Sequence, residues 1–392
     1  MYRIAEMVMM HRETEQQGFV DHLMGPSRSR SDEFFRSVDR VVNWSLVQGE
    51  LKDIHVSKMG APSFQPLMLF KALLIQRWYD LSDPATEDAL NDRKSFARFV
   101  GLPLDAKAPD HTTLWRFREL LIKRGLMEPL LAALMAQIET AGLILREGTL
   151  LDATFVPSAV RPPGAPRDLK QPKAPKGETA EPVTPPSQDK PLNPFKTGKR
   201  SRLDPDATWA KKGRKAYFGF KLHIAVDQER RIIRAHKVTA ANVNDCVVGP
   251  DLVLPDGGAH YADKAYSSDP MRQILAKHGL ADGVMQQGRK HYPLRPAQRR
   301  RNAILATVRY AVEGVFGEAK TRLGLARARY RGIKKVQFEC DIVVFAFNLK
   351  TSTQNHLTCA PSHPLYHLKS RAYRHATLKS STPITSKSAP ET

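Results

Sequence analysis

Cysteine is scarce: Cys246, Cys340 and Cys359 are the only three in 392 residues. Their wide spacing builds neither a disulfide framework nor a zinc cluster, so a reducing compartment, the cytoplasm, is expected. Long apolar runs are also missing. No stretch reaches the 18 or so uncharged apolar residues of a membrane span. The start of the chain places Glu6, His11, Arg12 and Glu13 soon after Met1, unlike a secretory signal. Gly257 and Gly258 are not followed by Gly-Lys-Ser/Thr, so they read as a turn and not a phosphate-binding loop. Acid is the scarcer charge, with 40 Asp plus Glu against 61 Lys plus Arg, a formal net charge of +21. Such an excess repels itself unless it meets a polyanion, and each phosphate contact releases counterions. Nucleic acid is therefore the expected partner; a merely solvated basic surface is the alternative.

Apolar residues make up 41% of the chain, enough for two or three domains with proper cores. The stretch from about 33 to 145 reads as helical. Leu67, Phe70, Leu74 and Trp78 recur on one helical face, and Asp83-Pro84 and Asp110 read as helix starts. Leu114, Phe117 and Leu121 line the helix after Asp110. This first region, 1–145, is expected to be an all-helical domain for DNA binding or dimerisation, or simply a support for the next domain. Residues 157–202 are different: 11 of the 28 prolines lie between Pro157 and Pro194, among scattered lysines, which reads as an extended insertion. Residues 351–392, rich in Ser, Thr and Pro, read as a frayed basic tail.

Strand character flanks the insertion. The spacing predicts a short strand ending at Asp152, a longer one over 217–226, a hairpin through 227–230 into Ile232–Val238, and a helix after Asn244-Asp245. A strand ending at Asp263, a helix near 269–278, a strand near 282–286 and a long helix over 296–323 complete the order. That alternation predicts a mixed α/β sheet domain over 146–350.

Two acids, Asp152 and Asp263, fall at the expected C-terminal ends of buried strands. Carboxylates brought together at a sheet rim repel unless a cation lies between them. Magnesium suits such a pair because it takes hard oxygen ligands and substrate phosphate. Taken singly, either residue is as readily a turn or cap aspartate. On the long helix, Val308, Val312, Phe316, Ala319 and Leu323 form one apolar stripe, and Arg309, Glu313 and Lys320 share a neighbouring face. Glu313 is thus the candidate third acid, and Glu318, further round the wheel, is expected at the surface. A simple Arg309–Glu313 ion pair is the structural alternative. From Arg289 to Lys335 there are 14 Lys plus Arg against only Glu313 and Glu318. Arg299, Arg300 and Arg301 precede the helix and Arg329 and Arg331 follow it, a one-signed patch expected to hold DNA phosphates without reading sequence. His223 and His260 lie near the expected rim, where packing or hydrogen bonding suits them better than a hard metal site.

Several segments together resemble bacterial DDE transposases of the insertion-sequence 4/5 superfamily, the insertion-sequence 5 branch above all. They are Leu81–Leu90 (LSDPATEDAL), Phe96–Leu102 (FARFVGL), Pro109–Phe117 (PDHTTLWRF), Leu151–Thr154 (LDAT), Tyr217–His223 (YFGFKLH), Ala240–Asp245 (AANVND) and Ala262–Tyr266 (ADKAY). Arg309, Glu313 and Lys320 match three members of that family's tyrosine–arginine–glutamate–lysine signature, and Arg329–Gly332 (RYRG) comes after them. The tyrosine is replaced by Ala306, with Tyr310 nearby.

The resemblance implies a ribonuclease-H-like catalytic domain behind the helical one. It also implies two Mg2+ or Mn2+ ions held by Asp152, Asp263 and Glu313, with Arg309 and Lys320 beside the phosphates. The substrates would be double-stranded transposon ends and target DNA, met by at least a dimer on the bacterial nucleoid. A transposase-derived DNA-binding protein and a metal-dependent nuclease without strand transfer are the rival readings.

Overall fold

The computed structural model describes residues 29–54, 63–160, 204–213, 215–256, 258–288 and 291–358. Most of the expected insertion, the tail beyond Thr358, Cys359 and Gly257 lie outside the described residues.

Seven helices come first: α1 (Arg30–Val41), α2 (Trp44–Leu51), α3 (Pro66–Trp78), α4 (Asp83–Asp92), α5 (Lys94–Val100), α6 (His111–Arg124) and α7 (Met127–Thr140). Their ends follow local chemistry. The Ser82 side chain accepts from Ala85 N–H and the Asp110 side chain from Thr113 N–H, satisfying first-turn donors of α4 and α6. Gly101 and Gly125 close α5 and α6 in the left-handed conformation. The helix α3 departs from the one-stripe reading. Met68, Leu69, Phe70, Ala72, Leu73, Leu74 and Ile75 are all buried, while Leu67 and Trp78, members of the expected stripe, are only half-buried. A helix apolar on every side is a central helix, and α1, α2, α4, α5 and α6 pack round it.

The second half is one mixed sheet with helices on its faces. Its strands are β1 (Gly148–Pro157), β2 (Thr208–Lys212), β3 (Lys215–Asp227), β4 (Ile233–Ala240), β5 (Ala259–Ala262) and β6 (Ala281–Val284). The strand β1 is central, antiparallel to β3 and parallel to β5, and β6 extends the parallel side. On the far edge of β3, β4 pairs with Phe220–Val226 and β2 with Lys215–Gly219. Thr208 and Asn242, hydrogen-bonded to each other, hold β2 and β4 end to end there. The helices of this half are α8 (Asp245–Val248), α9 (Asp269–Lys277), α10 (Pro296–Arg322) and α11 (Ile333–Thr358). This mixed sheet behind a helical region is the expected architecture, a ribonuclease-H-like catalytic domain with an N-terminal all-helical domain.

Alternation divides the sheet between two cores. Leu150, Val156, Phe220, Leu222, Ile224 and Val226 face α10 and α11. Leu151, Ala225 and Ala262 face α9 and the Tyr266 ring. The α10 stripe packs as its spacing predicts, with Val312, Phe316, Ala319 and Leu323 buried and Val308 partly so.

Three expectations are corrected. Asp152 does not end its strand: β1 runs on to Pro157, because its antiparallel pairing with β3 continues past the point where the parallel pairing with β5 stops at Leu151–Ala262. That extension also makes Pro157, the expected first residue of the insertion, a strand residue. The tail does not begin at 351, since α11 continues to Thr358. This helix joins the two halves: Phe338, Ile342, Phe345, Ala346 and Leu349 enter the core of the first, and Val336, Cys340, Val343, Val344 and Phe347 the core of the second. The Trp78 indole N–H donates to the Ala346 carbonyl at 3.0 Å across that junction. Among the described residues no helix is long and apolar enough to cross a membrane.

Candidate active site

Asp152 lies on the α10 face of β1, on the same side as Leu150 and Val156. Leu151 and Ala262 are partners in the parallel ladder, so Asp152 and Asp263 each occupy the position after a paired residue. That register brings two carboxylates from distant parts of the chain to one rim. β5 stops at Ala262 because Asp263 caps the following 3-10 turn, its side chain accepting from Lys264 N–H. The Asp152 carboxylate accepts from Ala153 N–H at 2.8 Å.

The cation between them is Arg309. Its Nη2 is 3.2 Å from Asp152 Oδ2 and its Nη1 3.9 Å from Asp263 Oδ1. Nη1 also reaches Met285 Sδ at 3.6 Å, and Nε is buried with no hydrogen-bond partner. Burial pushes the Asp152 carboxyl above the ordinary value, while Arg309 and the Ala153 N–H pull it back and Asp263 adds to the rise. The start of α10 is fixed against the end of β6. Asn302 exchanges two hydrogen bonds with the Gln286 backbone, at 3.0 and 2.9 Å, and Arg301 donates to the Val284 carbonyl at 2.9 Å. This docking sets the rotation of α10 that aims Arg309 at the rim.

Behind the carboxylates lies a buried polar layer. The Tyr266 hydroxyl is 3.3 Å from His223 Nδ1, and His223 Nε2 is 3.0 Å from Thr239 Oγ1. Burial lowers the His223 pKa to about 4, so the ring is neutral near neutral pH. Tyr266 is pushed far up by burial and by Asp245, Asp152 and Asp263. Lys221 donates to Asp245 and to the Val243 carbonyl, both at 2.8 Å. His260, also lowered by burial to about 4, accepts from Leu254 N–H at 3.2 Å. Neither histidine is placed as a metal ligand, since the described residues hold no cluster of three His, Cys, Asp or Glu suited to an ion.

The other expected site residues divide. Glu313 is exposed, one helical turn beyond Arg309, and the structure does not close it into a three-acid cluster with the aspartates. Glu318 is not a free surface acid: it bonds Lys350 of α11 at 2.5 Å and lies 4.0 Å from Arg231. Lys320 is half-buried, its pKa lowered by burial and by Lys212. Arg301, beyond its bond to Val284, pairs with Asp282 at 3.9 Å and holds the fold together. Arg329 does the same between the two halves, donating to the Leu81 carbonyl at 2.5 Å and pairing with Asp80. Arg299 donates to the Leu294 carbonyl at 3.2 Å in the helix cap. Arg300 and Arg331 are exposed and have no carboxylate partner among the described residues. Tyr310 is 74% exposed and Ala306 also faces out, so Tyr310 is not at the carboxylates. Tyr266, Asp245 and Lys212 escaped the residue-by-residue reading. The first two sit inside the short blocks ADKAY and AANVND, which is the signal that could have found them.

A divalent ion fits the aspartate pair. Both groups are hard oxygen donors, two carboxylates plus substrate phosphate suffice for magnesium, and a guanidinium already stands where their charges need a cation.

Comparison with known protein families places two models on the chain. One, a transposase domain (DUF772), matches residues 26–120. The other, a transposase DDE domain, matches residues 145–349, more than half of the chain. No solved structure matches.

Proposed function

Because the chain belongs to the DDE transposase family, whose members cut and join DNA and generally use divalent metal ions, we propose that it cleaves transposon-end DNA and transfers the freed strand into target DNA with two Mg2+ or Mn2+ ions. The observation that carries this reading is the meeting of Asp152 and Asp263 on either side of the Arg309 guanidinium.

Asp152, Asp263 and Glu313 hold the ions. When bound, the ions supply activation of the attacking oxygen and stabilisation of the leaving oxygen in an in-line displacement. Arg309 then exchanges carboxylate for phosphate. Its buried, unpartnered Nε shows donor capacity that the protein alone leaves unfilled. Released from Asp152 by an incoming cation, the guanidinium is a bidentate donor for the phosphate at the cut. Lys320 adds a point charge on the same helix face. The exposed Arg300 and Arg331 track the phosphate backbone further out and position the duplex without reading it. Arg299, Arg301 and Arg329, engaged in the fold, act on DNA only by their summed field. Two transposon ends must meet for joining, so the working form on DNA is at least a dimer.

The test is a strand-transfer assay with supercoiled plasmid and labelled ends of the element that encodes the chain. Joined product that needs Mg2+ or Mn2+, and is lost in Asp152→Ala while DNA affinity stays, is expected. Cleavage without joining would replace this reading with a nuclease. Binding with no chemistry under either metal would leave a DNA-binding protein.

A further inference from the structure

The strand β3 is longer than the sheet needs. Its pairing with β1 ends at Pro157–Gly219, with one further bond from Ser158 N–H to the Phe218 carbonyl. From Gly219 back to Lys215 it continues as a two-stranded ribbon with β2. The ribbon is rooted on the α10 side of the sheet. Ala328 N–H, just after α10, donates to the Pro157 carbonyl at 2.9 Å, and Arg327 bonds the Ser158 and Ala159 carbonyls. On the strand leading into β2, Asp204 accepts from Gly332 N–H and Asp206 from Ile333 N–H, both at 2.8 Å. At the root, a Cβ on Gly219 would lie 2.4 Å from the Val156 carbonyl oxygen and 2.5 Å from Ser158 N, so the close approach requires glycine there.

The tip carries one sign of charge. Lys211, Lys212, Arg214 and Lys215 lie within five residues, and Lys211, Lys212 and Lys215 are exposed. Nine residues of β3 separate the tip from Ile224, the cross-strand partner of Asp152. Yet Lys212 acts electrostatically on Asp152 and on Lys320 of α10. The ribbon therefore curls back toward the catalytic rim. There Lys320 is half-buried with a second lysine as its charged neighbour. Two like charges held beside one another raise the energy of the free protein, and an anion between them reverses the sign.

We propose that the β2–β3 ribbon is a strand clamp, in which Lys212 at its tip and Lys320 on α10 grip a DNA phosphate next to the one that is cut at Asp152 and Asp263. This rests on the transposase reading and adds to it a positioning residue, Lys212. The clamp holds DNA in register with the carboxylates; it takes no part in bond making.

The salt dependence of binding to a short duplex of arbitrary sequence tests it. In the wild-type chain the logarithm of affinity falls linearly with the logarithm of salt concentration. Loss of one phosphate contact reduces that slope by about 0.9. Lys212→Ala is expected to lose about that much, Lys212→Arg to retain the wild-type slope, and Lys237→Ala, a lysine paired with Asp251, to leave it unchanged. A Lys212→Ala slope equal to wild type overturns the clamp, as does a slope lost equally in Lys212→Arg, which would mean a local packing defect. A wild-type chain without salt-dependent binding would instead sink the transposase reading beneath it.

Discussion

Arg309 and Asp152, 157 positions apart in the chain and joined at 3.2 Å, make the central ion pair of the catalytic rim. The pair places a fixed positive charge where a carboxylate dyad needs one when no metal is bound. In Arg309→Ala the two aspartates face each other without that charge. The pair is partly solvated, with side chains 15% and 20% exposed, so the loss should be modest, about 1 kcal/mol. For a domain of this size that is about 2–4 °C in melting temperature. Thermal melts in chelator should show the drop, and added Mn2+ should recover most of it by restoring a cation. An equal deficit with and without metal would show that Arg309 supports the fold elsewhere.

Asp152 and the buried histidines give opposite pH signatures. The folded-state pKa of Asp152 is raised above 3.8. The stability it contributes is therefore full below 3.8 and lost as pH climbs through the raised value. Asp152→Asn should remove that decline and raise the metal-free melting temperature above pH 5, while cutting strand cleavage by more than about 100-fold, since even outer-shell partners of a metal site cost 10–100-fold. His223 and His260 are depressed from 6.5 to about 4. Their contribution is present above 6.5 and disappears as pH falls toward 4, where the unfolded chain has already taken up both protons. His223→Gln should make the acid side of the stability profile less steep. A profile unchanged in slope would mean that the ring is already protonated in the fold.

Glu313 and Glu318 separate by role. Glu318 ties α10 to Lys350 of α11, and Glu313 is exposed beside the Arg309 face. Glu313→Gln should abolish cleavage, by more than about 100-fold, and leave the melting temperature within about 1 °C. Glu318→Gln should keep cleavage within a few-fold and lower the melting temperature by about 2–4 °C, the shift expected for about 1 kcal/mol from a charge-assisted bond. The reverse pattern in paired melts and cleavage assays would move the third acid to Glu318.

What the sequence shows of this fold depends on amphipathic period. The α10 stripe is legible because only one side is apolar, and its two ends are read to within a residue of the observed Pro296–Arg322. The helix α11 is missed for the opposite reason. Val336, Phe338, Cys340, Ile342, Val343, Val344 and Phe345 are all buried, because the helix lies between two cores, and a helix apolar all round has no stripe to detect. The strand β2 is missed because TWAKK carries two lysines and borders the proline-rich segment. At the site, Asp152 and Asp263 stand out as acids after apolar runs. Their meeting depends on strand register, and the position of Arg309 between them on helix docking, neither of which composition or spacing encodes. The same limit explains the basic residues. Arg300, Arg301 and Arg329 look alike in sequence, but carbonyls at the end of β6 and at Leu81 engage Arg301 and Arg329 and leave Arg300 outward.

The junction between the halves offers a test that leaves the catalytic rim untouched. Arg77 of α3 and Glu339 of α11 form an ion pair at 3.1 Å with side chains only 1% and 0% exposed. The second Glu339 oxygen accepts from Arg329 N–H at 2.9 Å. Removing one member strands a charge in a low-dielectric core. Glu339→Ala should therefore destabilise by about 3–5 kcal/mol, more than the pair itself contributes. Replacing both, Arg77→Met with Glu339→Leu, removes the charge that would be stranded and should recover most of the loss, as buried pairs exchanged for apolar groups of similar volume often do. Urea denaturation of the wild type, both single variants and the double variant measures this as a mutant cycle. A coupling near zero, with the double variant as unstable as the sum of the singles, would mean that each residue acts through other neighbours, Arg329 for Glu339 and the aromatic ring of Tyr330, whose pKa Arg77 lowers, for Arg77.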